Sequence, residues 1–271
     1  MAGAFVLLRD VTFRYRREAL PIFDQFHWEV ARGEAWAVIG ASGCGKSTLL
    51  YLLAGLRRPN GGALWIDGAP VPRPRASTGL ILQNHGLLPW ATVWENAALG
   101  VRIGHFYARK RSPETLPRPY PPALPESVVD QWLERLAISH LRDKYPAQIS
   151  GGQQQRVAIA RTLALQPNLL LMDEPFSALD ANTREGLEEL TVELWRELAV
   201  TTVVVTHNIE EATFLGRRIL VLRGPPNREA DVVENPGAGS PGYRGTGEFL
   251  RVSQLLRERL SAAPAEGASR P

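Results

Sequence analysis

Residues 35–47 restrict what this chain can fold into more than any other segment. Residues 35–39 are continuously apolar, the pattern of a strand covered on both faces, and they run straight into Gly40-Ala41-Ser42-Gly43-Cys44-Gly45-Lys46-Ser47. A buried strand, a glycine-rich loop and a helix start form a phosphate cradle, because glycines let backbone N–H groups close on anion oxygens at the positive end of a helix dipole. Lys46 is then placed to reach the outer phosphates. The Ser47 hydroxyl is placed to ligate Mg²⁺, a hard cation that takes oxygen ligands. A glycine-rich turn without function is the competing reading, but a match of this length arises by chance in roughly one chain in a hundred, and the preceding apolar strand lowers that further.

Two later runs, 169–172 and 202–205, are also continuously apolar or β-branched and read as central parallel strands. In open parallel sheets ligands bind at the carboxyl ends of strands, and a single crevice can collect all three ends. The second run ends on Asp173-Glu174 and the third on His207. Asp173 suits Mg²⁺ and Glu174 suits polarisation of an attacking water. A neutral His207 suits a hydrogen bond to a γ-phosphate. Taken alone, Asp173-Glu174 reads equally well as two solvated acids closing a strand; the phosphate loop decides between the readings.

Near the N-terminus Phe26, Trp28 and Val30 alternate with His27 and Glu29, as in a half-buried strand of an antiparallel sheet. Between 92 and 166 the pattern turns helical, with Val128, Val129, Trp132, Leu133 and Leu136 on one face, so an inserted helical subdomain is expected. Residues 109–125 hold six prolines and favour an extended surface loop. A second Gly/Pro-rich stretch spans 224–247, followed by an amphipathic pattern at Phe249, Val252, Leu255 and Leu256 and a tail after Leu260 expected to be disordered.

Composition removes several classes of function. A length of 271 residues suits one large domain with an insertion, and the net charge of only +3 comes from scattered Lys and Arg, which argues against a nucleic-acid partner. Cys44 is the sole cysteine, so no intramolecular disulfide can form and a reducing compartment is expected. No apolar run reaches the ~20 residues of a membrane-spanning helix, so a cytoplasmic location is expected. Cys44 lies beside Lys46 at a helix start, two influences that lower a thiol pKa, so a reactive thiol is expected.

The most diagnostic segment is Ile149-Ser150-Gly151-Gly152-Gln153-Gln154-Gln155-Arg156. Ser150 with Gln153 is a capping box that opens a helix. The two glycines between them are poor helix formers, but they let backbone amides approach an anion on the helix axis. A second phosphate-facing helix end requires a second phosphate or another copy of the chain.

With this segment the chain resembles the ATP-binding cassette (ABC) ATPases, whose signature is matched by Ser150-Gly151-Gly152-Gln153. The resemblance covers residues from Phe5 to about Leu222 and departs at Ile149, where the family often has Leu, and in the long proline-rich stretch. It implies an α/β fold: a P-loop NTPase core with a mixed sheet, an N-terminal antiparallel β-subdomain and an inserted α-helical subdomain. The nucleotide-binding domain is expected at 4–224, with the helical insertion at about 92–166, and a linker, short helix and tail at 225–271.

The resemblance implies ATP and Mg²⁺ as cofactors. It assigns Gly40, Ser42, Gly43, Cys44, Gly45, Lys46, Ser47 and Thr48 to the phosphates, Tyr15 or its strand neighbour Phe13 to adenine, and Gln83 with Ser47 and Asp173 to Mg²⁺. Glu174, His207, Gln83 and Lys46 are the implied catalytic set. Ser150, Gly152, Gln153 and Asp180 face the nucleotide of a second copy in an ATP-sandwich dimer. For Gln83 a strand-end amide, and for Asp180 a helix N-cap, are the ordinary alternatives.

Gln83-Asn84-His85-Gly86-Leu87-Leu88-Pro89-Trp90 is similar to importer cassettes serving nitrate, sulfonate and taurine uptake. That likeness implies integral membrane permease subunits as partners, a periplasmic or extracellular substrate-binding protein acting indirectly, and a peripheral place on the cytoplasmic face of the inner membrane. Leu87, Leu88 and Trp90 then read as a docking patch, or else as residues packed inside the helical subdomain. A soluble cassette ATPase of repair, translation or cofactor assembly is the alternative, opposed by the absence of coiled-coil insertions or tandem cassettes. A small-molecule kinase is a third, opposed by the signature segment and Asp173-Glu174.

Overall fold

The structure, a computed structural model, describes residues 3–109 and 124–261. In chain order they form β1 (Val6–Phe13), β2 (Phe23–Val30), β3 (Ala35–Gly40), α1 (Lys46–Leu53), β4 (Gly61–Ile66) and β5 (Ala69–Pro70). Next come β6 (Thr78–Ile81), α2 (Val93–Arg109), α3 (Ser127–Arg135), α4 (Gly151–Leu163), β7 (Leu169–Asp173) and α5 (Ala181–Leu198). The chain closes with β8 (Thr201–Thr206), α6 (Ile209–Leu215), β9 (Arg218–Leu222), β10 (Asp231–Glu234) and α7 (Gly247–Ser261). The α/β class expected from the sequence is the class observed. Two compact units divide the chain: one joins the residues before Arg73 to those after Thr202, and the other is Arg73–Thr202.

In the first unit, β2, β1, β4 and β5 form an antiparallel sheet in that order. Trp28 pairs with Leu8 and Val30 with Val6, and these four side chains are buried while His27 and Glu29 are exposed. The two-residue period of the sequence thus separates a core face from a wet one. A second sheet pairs β3 in parallel with β9, and β9 in antiparallel with β10. All six residues of β3 are buried, which is why its sequence shows no alternation.

Helix α7 covers this part of the core. Phe249, Val252 and Leu256 are buried, and Val252 and Leu256 join Ala37, Ile39, Ala212, Ile219, Val221 and Val233 in one cluster. Each such side chain contributes about 1.5–3 kcal/mol of burial. The C-terminal helix is therefore part of the foundation beneath the strand that leads into the glycine-rich loop.

In the second unit, β6 pairs in parallel with β7, all of whose residues are buried. Helices α2 and α3 pack on α4. Val128, Val129, Trp132, Leu133 and Leu136, the face expected from the sequence, are buried. The extended loop expected at 109–125 falls mostly on 110–123, outside the described residues, as does the tail from 262 onward. Among the described residues no helix is long and apolar enough to cross a membrane.

Candidate functional site

The predicted site residues are divided between the two units. In the first, β3 delivers the chain at Gly40 and α1 takes it up at Lys46. Gly43 and Gly45 hold φ of 81° and 111°, values that L side chains rarely adopt. At Gly45 space forbids a side chain as well, since a Cβ there would lie 2.5 Å from Ile22 Cγ2. Gly45 is the N-cap of α1 and no side-chain hydrogen bond caps that helix. The Lys46 side chain is buried, and its ammonium donates to the carbonyls of Gly40 at 2.7 Å and Ala41 at 3.0 Å. The loop therefore holds one buried positive charge against its own backbone, beside a helix start. Ser42 is exposed, Ser47 half-buried and Thr48 buried.

Tyr15 is 52% exposed and its hydroxyl hydrogen-bonds Thr48 Oγ1 at 3.0 Å. Phe13 is buried and meets the Tyr15 ring edge-to-face at 5.1 Å. Of the two aromatics offered for adenine, Phe13 is committed to the core and Tyr15 presents its ring to solvent above α1.

The expectation of a reactive thiol at Cys44 is corrected. Cys44 is only 2% exposed, and burial pushes its thiol up, outweighing the nearby Lys46 charge and the Lys46 backbone N–H that pull it down. Sequence adjacency showed the charge but not the desolvation, which depends on packing from elsewhere in the chain.

His207 follows β8 and is exposed. The next residue, Asn208, caps α6 by accepting from the N–H groups of Glu210 at 2.9 Å and Glu211 at 3.3 Å. Its own N–H donates to Thr206 Oγ1 at 3.0 Å, so the turn carrying His207 is fixed on both sides.

In the second unit, β7 ends at a buried Asp173 followed by a half-buried Glu174. Glu174 has φ of 46°, a sparsely populated backbone state that costs on the order of 1–3 kcal/mol and persists where the surroundings enforce it. Gln83 Nε2 donates to Glu174 Oε2 at 3.2 Å and to Ser177 Oγ at 3.4 Å. Ser177 Oγ in turn donates to the Glu174 carbonyl at 3.0 Å. Gln83, Glu174 and Ser177 are thus brought together, and Ser177 is the member that sequence reasoning did not single out. Its only sequence signal is its place three residues before Asp180.

Ser150 and Gln153 form the capping box foreseen: Ser150 Oγ accepts from Gln153 N at 3.3 Å, and Gln153 Oε1 from Ser150 N at 2.9 Å. Gly152 is buried against Thr183, which a Cβ would strike. Asp180 is the N-cap of α5 and accepts from Thr183 N at 3.0 Å. That N–H, and then the Thr183 hydroxyl, hold its carboxyl below the ordinary carboxylate range. Leu87 and Leu88 are half-buried, and Trp90 is 73% exposed.

The family model described as ABC transporter matches residues 23–177. The chain is 36% identical over 267 residues to the taurine import ATP-binding protein TauB of Pseudomonas aeruginosa, which spans 96% of each chain. It is 38% identical over 250 residues to the nitrate import ATP-binding protein NrtD of Synechococcus elongatus, spanning 92% of this chain and 87% of that one. A solved dimer of the ATP-binding cassette MJ0796, in a post-hydrolysis state bound to ADP and Pi, is similar at TM-score 0.67 and 30% identity, over 84% of this chain and 98% of that one.

Proposed function

Because the chain belongs to the ABC transporter family, we propose that it is the ATP-hydrolysing subunit of a membrane importer for a small solute such as taurine, another sulfonate or nitrate. ATP binding and hydrolysis are its activity. The observation that carries the reading is the loop 40–47, where two left-handed glycines and a buried Lys46 ammonium sit at a helix start whose N-cap is Gly45.

In this reading the backbone N–H groups of the loop wrap the phosphates. Lys46 exchanges its carbonyl partners for the outer phosphate oxygens, and Tyr15 stacks on adenine. The fit to Mg²⁺ rests on donor chemistry: a Ser47 hydroxyl, a buried Asp173 carboxylate and a Gln83 amide oxygen are all hard oxygen donors. When bound, the ion neutralises charge developing on the transferring phosphoryl group. Glu174 orients and polarises water, and Gln83, already bonded to that carboxylate, holds it in place. His207 hydrogen-bonds the γ-phosphate from its fixed turn.

Ser150, Gly152, Gln153 and Asp180 meet the nucleotide of a second copy. Permease subunits contact the loop after Gln83, on the cytoplasmic face of the membrane, and a substrate-binding protein delivers solute to them. The exposed Trp90 favours docking over burial. The test changes Leu88 and Trp90 to Glu. We expect membrane subunits to be lost on co-purification while the cassette still melts normally and releases phosphate from ATP without an acceptor. A stable double variant that still captures its membrane subunits removes this loop from the interface.

A further inference from the structure

Asn227 lies in the connection between β9 and β10, 183 residues from the loop that its side chain holds. Its Nδ2 donates to the Cys44 carbonyl at 2.8 Å and to the Ile22 carbonyl at 3.0 Å. The residue is 6% exposed. Its backbone is anchored independently: Asn227 N donates to Ile22 O at 2.9 Å, and Asp24 N donates to Asn227 O at 3.0 Å, a parallel bridge onto the start of β2. Arg228 extends the attachment with an ion pair to Asp24 at 2.9 Å. Ile22, whose carbonyl accepts from both the backbone and the side-chain N–H of Asn227, is the residue that a Cβ on Gly45 would strike at 2.5 Å. One amide therefore grips the phosphate loop twice, directly through Cys44 and indirectly through Ile22 under Gly45.

We propose that Asn227 is a positioning residue for the phosphate-binding loop: its side-chain amide holds the Cys44 carbonyl, between the left-handed Gly43 and Gly45, in the geometry that aims the loop N–H groups at phosphate. The inference rests on the reading of 40–47 as the nucleotide loop. Buried carbonyls of the loop need a donor, and the Cys44 carbonyl takes it from this amide rather than from the α1 helix. The amide is also unable to move away without leaving the buried Cys44 carbonyl short of this donor, whereas the Ile22 carbonyl keeps the Asn227 backbone N–H. The β9–β10 connection thereby becomes part of the support of the nucleotide site.

Two readouts on Asn227→Ala separate this inference from the reading beneath it. The first needs no nucleotide. Cys44 is the sole cysteine and is buried, so its rate of maleimide labelling reports loop opening. We expect labelling to quicken about tenfold, the effect of losing hydrogen bonding worth about a factor of ten, with the thermal midpoint of the whole chain little changed. The second is the ATP concentration dependence of hydrolysis, where KM is expected to rise about tenfold with kcat within about twofold. Asn227→Asp keeps the volume but turns the donor into a charged acceptor facing two carbonyls, and it is expected to match or exceed the alanine effect. Asn227→Ser, smaller and still polar, serves if the alanine variant does not fold.

Unchanged labelling and unchanged KM in a folded variant overturn the proposal. A melt lowered in parallel with both readouts does so too, because it makes Asn227 a general stabiliser. Faster labelling in a chain whose wild type binds no ATP overturns the nucleotide reading instead, and leaves the grip of Asn227 on the loop standing.

Discussion

Two helix starts in this chain are suited to phosphate, and they are built in opposite ways. Helix α1 begins at a left-handed Gly45, an N-cap that has no side chain to cap with. Helix α4 begins at Ser150 with a complete reciprocal box, Ser150 on Gln153 and Gln153 on Ser150. A helix start leaves four backbone donors to satisfy, by side chains, water or a ligand. At α1 the chain supplies a buried ammonium and left-handed glycines, and its N-cap Gly45 has no side chain, the make-up that the proposed nucleotide site requires. At α4 the chain caps itself, so a phosphate arriving there adds to or displaces an existing cap. Under the proposed reading, the first end holds the nucleotide of its own copy and the second meets that of a second copy.

The contrast predicts unequal damage. Lys46→Ala removes the charge at the α1 end and is expected to weaken ATP binding by about 10²-fold, since hydrogen bonds to charged groups are worth about 1.5–3 kcal/mol each. Equilibrium titration with a fluorescent ATP analogue checks it. Ser150→Ala at the α4 end is expected to leave that titration unchanged, to cost about 1 kcal/mol of stability through the lost cap, and to slow turnover. If Ser150→Ala weakened binding to the single copy as much as Lys46→Ala, the two ends would not differ in the way described.

The smallest expected effect concerns Tyr243, which belongs to neither helix end. Burial, with the Glu248 charge adding to it, pushes its phenol up to about 12 from an ordinary value near 10. The folded state therefore keeps the proton that the unfolded chain releases first. The stability so conferred is complete below about pH 10 and is lost between about pH 10 and 12. Tyr243→Phe should flatten the alkaline fall in the thermal midpoint while leaving both helix ends as they were.

The same two ends show what was legible in the sequence. The strand, glycine loop and helix at 35–53, the alternation of Phe26, Trp28 and Val30, and the box at Ser150 are local patterns, and local physics sets them. The α7 face at Phe249, Val252 and Leu256 was readable for the same reason. What escaped depends on residues distant in the chain. Cys44 is silenced by burial rather than activated by Lys46, and Asn227 reaches its carbonyl across 183 positions. Strand β10 has only Val232 and Val233 between acids and prolines, too short for a period to emerge. The left-handed Glu174 was half legible: Pro175 disfavours the right-handed helical region for the residue before it, but does not by itself select a positive φ.

The central claim is that this chain hydrolyses ATP with Glu174 polarising the water, in a pair closed across α1 of one copy and α4 of the other. Glu174→Gln keeps the size and the hydrogen bond to Gln83 while removing the base. Phosphate release and molecular mass by light scattering, measured together with and without Mg-ATP, test it most directly. The account predicts a loss of turnover of ~10²-fold or more, with retained ATP binding and an ATP-dependent doubling of mass. Near-normal phosphate release, or a mass that ATP does not change, would contradict it.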